Sequence, residues 1–338
     1  MGPVMTTTTT TTWVEPIWFS PRERDLVPTT EIDRRLVEHA ADSKGAFSQA
    51  THRAWASDSK LFVEWCRRRK QSSLPALPET VAQFVDSLAK ERKVATLRRY
   101  LATIAHLHTA AGLADPTKTP KVKSALKRAA RSNGSRQAQA RGLTEEDVER
   151  ILALLDDTLK DLRDRALLLV GRDLLARRSE LVGLTVEDVE KSRGGSGTAL
   201  IRRSKTDQQG EGVRVYLSPG AMSALQEWLD AAEIEGGAIF RKIDRWRKVW
   251  PRALGSNEVS NILKRLAERA GLEDAEKVSG HSLRVGMAQD LVEVGTGLPE
   301  LMQAGRWKSP AMPARYAEKQ LASRGAVAKY HQRKRRRA

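Results

Sequence analysis

Apolar side chains recur at helical spacing through the first third of the chain. Between Thr51 and Arg67, Trp55, Phe62, Trp65 and Cys66 fall mostly on one helical face. Val81, Phe84, Val85 and Leu88 repeat at the three, four and seven spacing of a second amphipathic helix, and Leu97, Leu101, Ile104 and Leu107 mark a third. Pro75 and Pro78 break the chain between the first two, and Gly112 suits the left-handed residue that closes the third. Lys121 to Arg131 predicts a fourth, strongly basic helix. From Ser132 to Arg141 the periodicity stops, and SNGSRQAQAR reads as a linker. A new helix start follows, with Thr144 as N-cap, Asp147 at the third position and Leu143 placed to staple against Val148. Helices are then expected to about Leu184. After a glycine-rich turn at Arg193 to Gly197 come two strand-like runs, Ala199 to Ile201 and Val213 to Leu217, separated by a loop at Asp207 to Gly212. They form the only clear sheet in the pattern. Helices resume near Pro219, Asn257 and His281 and continue to the end.

This pattern predicts a mainly α protein with a small antiparallel β-sheet, and 338 residues suffice for two domains. The expected divisions are residues 1–30, a threonine-rich, disordered N-terminal segment; 31–132, a helical domain; 133–142, a linker; and 143–338, a second domain with a basic tail at Arg333 to Arg337. Charge then narrows the partner. Lys and Arg number 59 against 42 Asp and Glu, a net +17, which suits a polyanion, most commonly nucleic acid. An anionic membrane surface would ask for basic amphipathic helices with exposed aromatics, whereas the aromatics here sit on the predicted buried faces. No apolar run is long enough for a membrane span, and no basic-then-apolar leader opens the chain. The single Cys66 and the scattered histidines offer neither an internal disulfide nor metal-ligand spacing. A reducing cytoplasmic compartment and no metal are the expectations.

Candidate chemistry lies in the second domain, in pieces that are individually weak. Arg177 and Glu180 (ARRSEL) are spaced to share a helix face, where the usual outcome is a surface ion pair. Lys205 (RRSKTDQQ) follows the first strand, where a lysine is usually solvated. His281 and Arg284 (SGHSLRVG) could both hydrogen-bond a phosphate, and the flanking Gly280 and Gly286 suggest close backbone packing. Trp307 and Tyr316 lie nine residues apart in AGRWKSPAMPARY, each more often structural than reactive. The ordered set is more telling than its members. Arg, Lys, His-x-x-Arg, His or Trp, and Tyr, in that order, resembles the tyrosine recombinases of the phage integrase family. Tryptophan at position 307, where most members carry histidine, marks one branch of it.

The resemblance implies a two-domain, C-shaped DNA clamp, a helical core-binding domain plus a catalytic domain, that cuts and rejoins duplex DNA through a 3′-phosphotyrosyl intermediate and a Holliday junction. Arg177 and Arg284 would grip the non-bridging oxygens, with His281 and the Trp307 indole N–H as further donors and Glu180 orienting them. Tyr316 would attack and Lys205 would protonate the leaving oxygen. Because the phosphotyrosine conserves the ester, no ATP, cofactor or metal is implied, and the sequence carries no P-loop. The resemblance also implies DNA contacts at Thr51, Arg53, Ser57, Thr96 and Arg99. In the second domain, a major-groove helix near Ser256 to Lys264 would read bases through Asn257, Asn261 and Lys264. Ile262 stands there where a base-reading arginine is expected. Partners would be an inverted-repeat duplex and three further copies, in a homotetramer on two DNA sites. Each protomer would pass its C-terminal segment, Leu321 to Tyr330, to a neighbour through Leu321, Val327 and Tyr330, in a bacterial, phage or plasmid setting. Two alternatives stay open: a type IB topoisomerase or telomere resolvase of related chemistry, and a DNA-binding regulator that kept the fold without the reaction.

Overall fold

The amphipathic stripes of the N-terminal half close on one another as a helical unit. In the computed structural model, which describes residues 30–134, 136, 139–202, 210–323 and 325–335, this unit occupies residues 1–138. It comprises α1 (Glu31–Asp42), α2 (Gln49–Arg68), α3 (Pro78–Leu88), α4 (Val94–Ala110) and α5 (Pro120–Asn133). Polar caps and proline set the helix starts. Ser48 Oγ accepts from Thr51 N at 3.2 Å, and Pro78 and Pro120 open α3 and α5, where a missing N–H costs nothing. Gly112 follows α4 at φ 71°. Phe62, Trp65, Cys66, Val81, Phe84, Val85, Leu97, Tyr100 and Ile104 form the core with Val122 and Ala125 of α5. Helix α1 carries no stripe that periodicity would flag, since Leu36 is its one buried apolar side chain. It is fixed instead by a capping box, Thr30 N donating to Asp33 Oδ2 at 3.0 Å and Asp33 N to Thr30 Oγ1 at 3.2 Å.

Beside that core, Trp55 stacks on His106 with ring centroids 3.7 Å apart, and Nε2 of His106 lies 3.2 Å from Nε2 of His39. Burial, with His39 and His52 adding repulsion, pushes His106 down to about 4 from 6.5. A folded value below the unfolded one means that protonation favours unfolding. Stability is complete above 6.5 and is lost as pH falls toward 4. The expected loss over that window is on the order of 2 kcal/mol. Urea midpoints recorded across it should show a slope that His106→Phe flattens.

The second unit, residues 139–338, begins with α6 (Glu145–Leu152), α7 (Leu159–Asp173) and α8 (Arg178–Val182). The anticipated cap is present: Thr144 N donates to Asp147 Oδ2 at 3.1 Å, and Leu143 and Val148 are both buried. β1 (Val189–Lys191), β2 (Gly197–Ile201) and β3 (Val213–Leu217) make an antiparallel sheet in that order, with Thr198 opposite Tyr216. After α9 (Pro219–Ala231) comes a second sheet, the hairpin of β4 (Arg241–Ile243) and β5 (Val249–Ala253). This corrects the expectation of a single clear sheet. RKIDRWRKVWPRA is too charged, and interrupted by Pro251, to display a strand's alternation. The chain ends with α10 (Ser256–Arg269), α11 (Ser282–Glu293), α12 (Leu298–Gly305), α13 (Ala311–Tyr316), α14 (Glu318–Ser323) and α15 (Ala326–Arg335). Helix α7 is buried along most of its length through Leu162, Leu167, Leu168 and Val170, against a core that includes Trp228, Phe240, Leu263 and Leu266. Among the described residues no helix is long and apolar enough to cross a membrane.

Candidate active site

The cationic centre of the second unit is built where α7 stops. Leu175 takes φ 41°, which ends the helix and leaves the carbonyls of Leu174 and Leu175 needing donors. Arginine side chains from later in the chain supply them: Arg306 Nη1 donates to Leu174 O at 2.9 Å, and Arg284 Nη1 donates to Leu175 O. The turn delivers Arg177 immediately before α8. Arg177 is the N-cap of that helix rather than part of it, so it does not share a helix face with Glu180 as the spacing suggested. The pair meets by capping geometry instead. Arg177 N donates to Glu180 Oε2 at 3.1 Å and Arg177 Nη1 to Glu180 Oε1 at 2.6 Å. Glu180 Oε2 also accepts from Arg306 Nη2 at 2.6 Å. With its side chain 1% exposed, Glu180 is a buried carboxylate shared by two guanidiniums.

Arg284, in the first turn of α11, is 2% exposed. Its Nη2 donates to Gly305 O, and its guanidinium lies 4.4 Å over the Trp307 ring. Burial, then the charges of Arg177 and Arg306, push Arg284 down to about 10, opposed by Glu180 and Tyr316. It is therefore still cationic at neutral pH. Burial also lowers Arg306, with Glu180 opposing. Three guanidiniums thus surround one carboxylate, which leaves a cluster short of negative charge. Two N–H groups of Arg284 are committed to backbone carbonyls, which fixes the plane of its guanidinium.

Trp307 bridges from this cluster to Tyr316, with ring centroids 5.7 Å apart. Tyr316 closes α13 rather than opening a helix, half-buried, and Ala317 behind it is buried in the small core of Leu175, Ala288, Val292, Leu301 and Trp307. Its backbone carbonyl accepts from Gln139 Nε2 at 3.1 Å and Gln289 Nε2 at 3.3 Å. The other tyrosines are placed elsewhere: Tyr100 in the first unit's core, Tyr216 on the exposed face of β3, Tyr330 exposed on α15.

His281 does not share Arg284's environment. It is the exposed N-cap residue of α11, with its N–H donating to Ser279 Oγ at 3.2 Å. The two glycines explain its placement. A Cβ on Gly280 would lie 3.0 Å from Arg178 side-chain atoms and Ser260 Oγ, so α8, α10 and the start of α11 converge there. A Cβ on Gly286 would fall 1.8 Å from Leu143 O, locking α11 against the beginning of the unit. Gly286→Ala is therefore expected to cost about 3 kcal/mol or more, read as a lowered urea midpoint with an unchanged m-value.

The sequence set is thus gathered in part. Arg177, Glu180, Arg284, Trp307 and Tyr316 come together, His281 stands exposed at the start of α11, and Lys205 lies outside the described residues. Nothing in the sequence singles out Arg306, Gln139 or Gln289. Arginine and glutamine in such contexts are ordinary, and only the fold shows whom they bind. On α10, Asn257 and Asn261 are exposed and Lys264 half-buried. Asn257 Oδ1 accepts from Arg178 Nη1 at 3.0 Å. Ile262 is 7% exposed and packs in the core, so it is not the outward position at which an arginine would read bases. In the first unit, Arg53 and Ser57 are exposed and Thr51 and Thr96 half-buried. Arg99 pairs with the buried Asp58 at 2.9 Å while remaining half-exposed.

Residues 141–322 match the model of the phage integrase family. The chain is 33% identical to an integrase/recombinase xerD homolog of Selenomonas ruminantium over 84% of each chain. It is 27% identical to the recombinase cre of Escherichia phage P1 over 88% of this chain and 92% of that one. Among solved structures, the XerH site-specific recombinase bound to palindromic difH substrate, a post-cleavage complex, superposes with a TM-score of 0.64 at 18% identity, covering 88% of this chain and 87% of that one.

Proposed function

The chain belongs to the phage integrase family, the tyrosine recombinases, and on that premise we propose that Tyr316 is the nucleophile with which it breaks and rejoins duplex DNA at specific sites. The observation that carries this reading is the cluster of Arg177, Arg284 and Arg306 around the single carboxylate of Glu180, with Trp307 and Tyr316 against it. A phosphodiester brings one negative charge and gains a second as an oxygen nucleophile adds. A site in positive excess favours the pentacoordinate state over the ground state, which is the requirement for catalysis.

In the reaction, Tyr316 Oη bonds to phosphorus as the bond to the 5′ oxygen breaks. Arg177 and Arg284 hold the non-bridging oxygens, with His281 and the Trp307 indole N–H completing the donors. His281 takes the phenolic proton and Lys205 gives one to the departing oxygen. The product is a 3′-phosphotyrosyl bond and a free 5′-hydroxyl. Rejoining is the same exchange run by another hydroxyl, so the ester is conserved at each step. Residues 143–338 carry this chemistry, residues 31–132 supply a core-binding domain with Thr51, Arg53, Ser57, Thr96 and Arg99 toward DNA, and Asn257, Asn261 and Lys264 face bases. The exposed Leu321, Val327 and Tyr330 dock on a neighbouring copy in a tetramer on two inverted-repeat sites. The setting is a bacterial, phage or plasmid DNA.

The test is capture. The protein is incubated with nicked duplexes of randomised sequence, denatured in detergent, and the DNA that remains attached is sequenced. The linked peptide is identified by mass spectrometry. Enrichment of one inverted-repeat sequence attached at Tyr316 is expected; attachment at another residue, or none, overturns the assignment.

A further inference from the structure

Resting on the recombinase reading, we propose that Arg306 is a positioning residue for strand cleavage, acting through Glu180 to hold Arg177 in its working orientation. Arg306 occupies the turn after α12 at φ 54°, a backbone conformation that favours glycine. An arginine there is not explained by the turn. Its side chain is 9% exposed, and a guanidinium taken that far from water must be paired. Its two Nη groups are paired, Nη2 with Glu180 Oε2 at 2.6 Å and Nη1 with Leu174 O at 2.9 Å, while Nε is buried without a hydrogen-bond partner among the described residues.

The consequence falls on Arg177. Glu180 gives one oxygen to the Arg177 guanidinium and the other to Arg306 and the Arg177 backbone N–H. With both oxygens committed, the carboxylate cannot turn to take both guanidinium edges of Arg177. That leaves Arg177 one paired edge and one edge for the phosphate. Remove Arg306, and Glu180 is held by Arg177 alone, free to chelate it and to neutralise the charge that the reaction needs. The neighbouring residues are also engaged, Gly305 by its carbonyl to Arg284 and Trp307 by its ring under the same guanidinium. One three-residue turn therefore orients both arginines of the clamp.

The experiment uses the full chain and a nicked duplex recovered by the capture described above. Arg306→Gly removes the side chain while suiting the turn; Arg306→Lys keeps a charge but not the two-pronged grip. Expected for Arg306→Gly is an adduct-forming rate about 10- to 100-fold lower with unchanged duplex affinity, and partial recovery in Arg306→Lys. In a Glu180→Gln background the same substitution should cost nothing further, because its effect passes through that carboxylate. A merely structural role would instead lower affinity, thermal midpoint and rate together and would add to Glu180→Gln. If Arg306→Gly does not fold, Arg306→Lys in the two backgrounds makes the same comparison. Wild-type rates in the Arg306 variants, or losses that multiply with Glu180→Gln, overturn the proposal while leaving the recombinase reading intact. Absence of any adduct in the unsubstituted protein overturns both.

Discussion

Tyr316→Phe is expected to lower covalent adduct formation by on the order of 10⁴-fold or more while leaving duplex binding essentially unchanged. The substitution deletes one oxygen. The ring that faces Trp307 at 5.7 Å stays, as does the backbone carbonyl held by Gln139 and Gln289. Ala317 keeps its buried place behind it. Nothing in the packing gives the protein a reason to unfold or to release DNA. Denaturing gels of the protein–DNA mixture read the chemistry, and mobility shift at matched salt reads the binding. Persistence of the adduct would remove Tyr316 from its role. Parallel loss of binding would mean that the hydroxyl serves affinity instead.

Arg284→Lys should be nearly as damaging, about 10²- to 10³-fold in the rate of strand cleavage, though it preserves the charge. The guanidinium does three things that an ammonium cannot do together. It donates to the carbonyls of Leu175 and Gly305, it lies flat over Trp307, and it keeps further N–H groups in the same plane. A lysine would reach one carbonyl and leave the other buried and unpaired, at about 1–3 kcal/mol. Both a lowered melting midpoint and a lowered cleavage rate are therefore expected. Comparison with Arg284→Ala separates geometry from charge: if lysine restores most of the rate, charge alone suffices and the planar fork is unimportant.

The sequence displayed the proposed reactive set because phosphate chemistry dictates residue type. Arginine, histidine, tryptophan and tyrosine in fixed order are legible without coordinates, as are the amphipathic faces of α2, α3 and α4, whose buried positions repeat. What stayed hidden has physical reasons. Helix α1 has a single buried apolar side chain and is held by its cap. The β4–β5 hairpin is written in arginine, lysine and tryptophan, so period-two alternation is absent. Arg177 looked like a helical partner of Glu180 because spacing cannot distinguish a cap residue from the first turn. The family resemblance puts Ile262 at a groove-facing position, and only the rotation of α10 about its axis shows that it points inward. Arg306 gave no signal at all, since its role lies in meeting a carboxylate 126 positions earlier.

The hydrogen bond between Arg178 and Asn257 bears on retargeting. Asn261, one turn further along α10, is exposed, and on the proposed base-reading role its exchange is expected to shift sequence preference with turnover intact. On the same reading, Asn257 is tethered to Arg178, the neighbour of Arg177, so a swap there is expected to change speed and preference in one stroke. Libraries that randomise both positions together are therefore expected to discard good readers as poor cutters, and those that hold Asn257 constant to retain them.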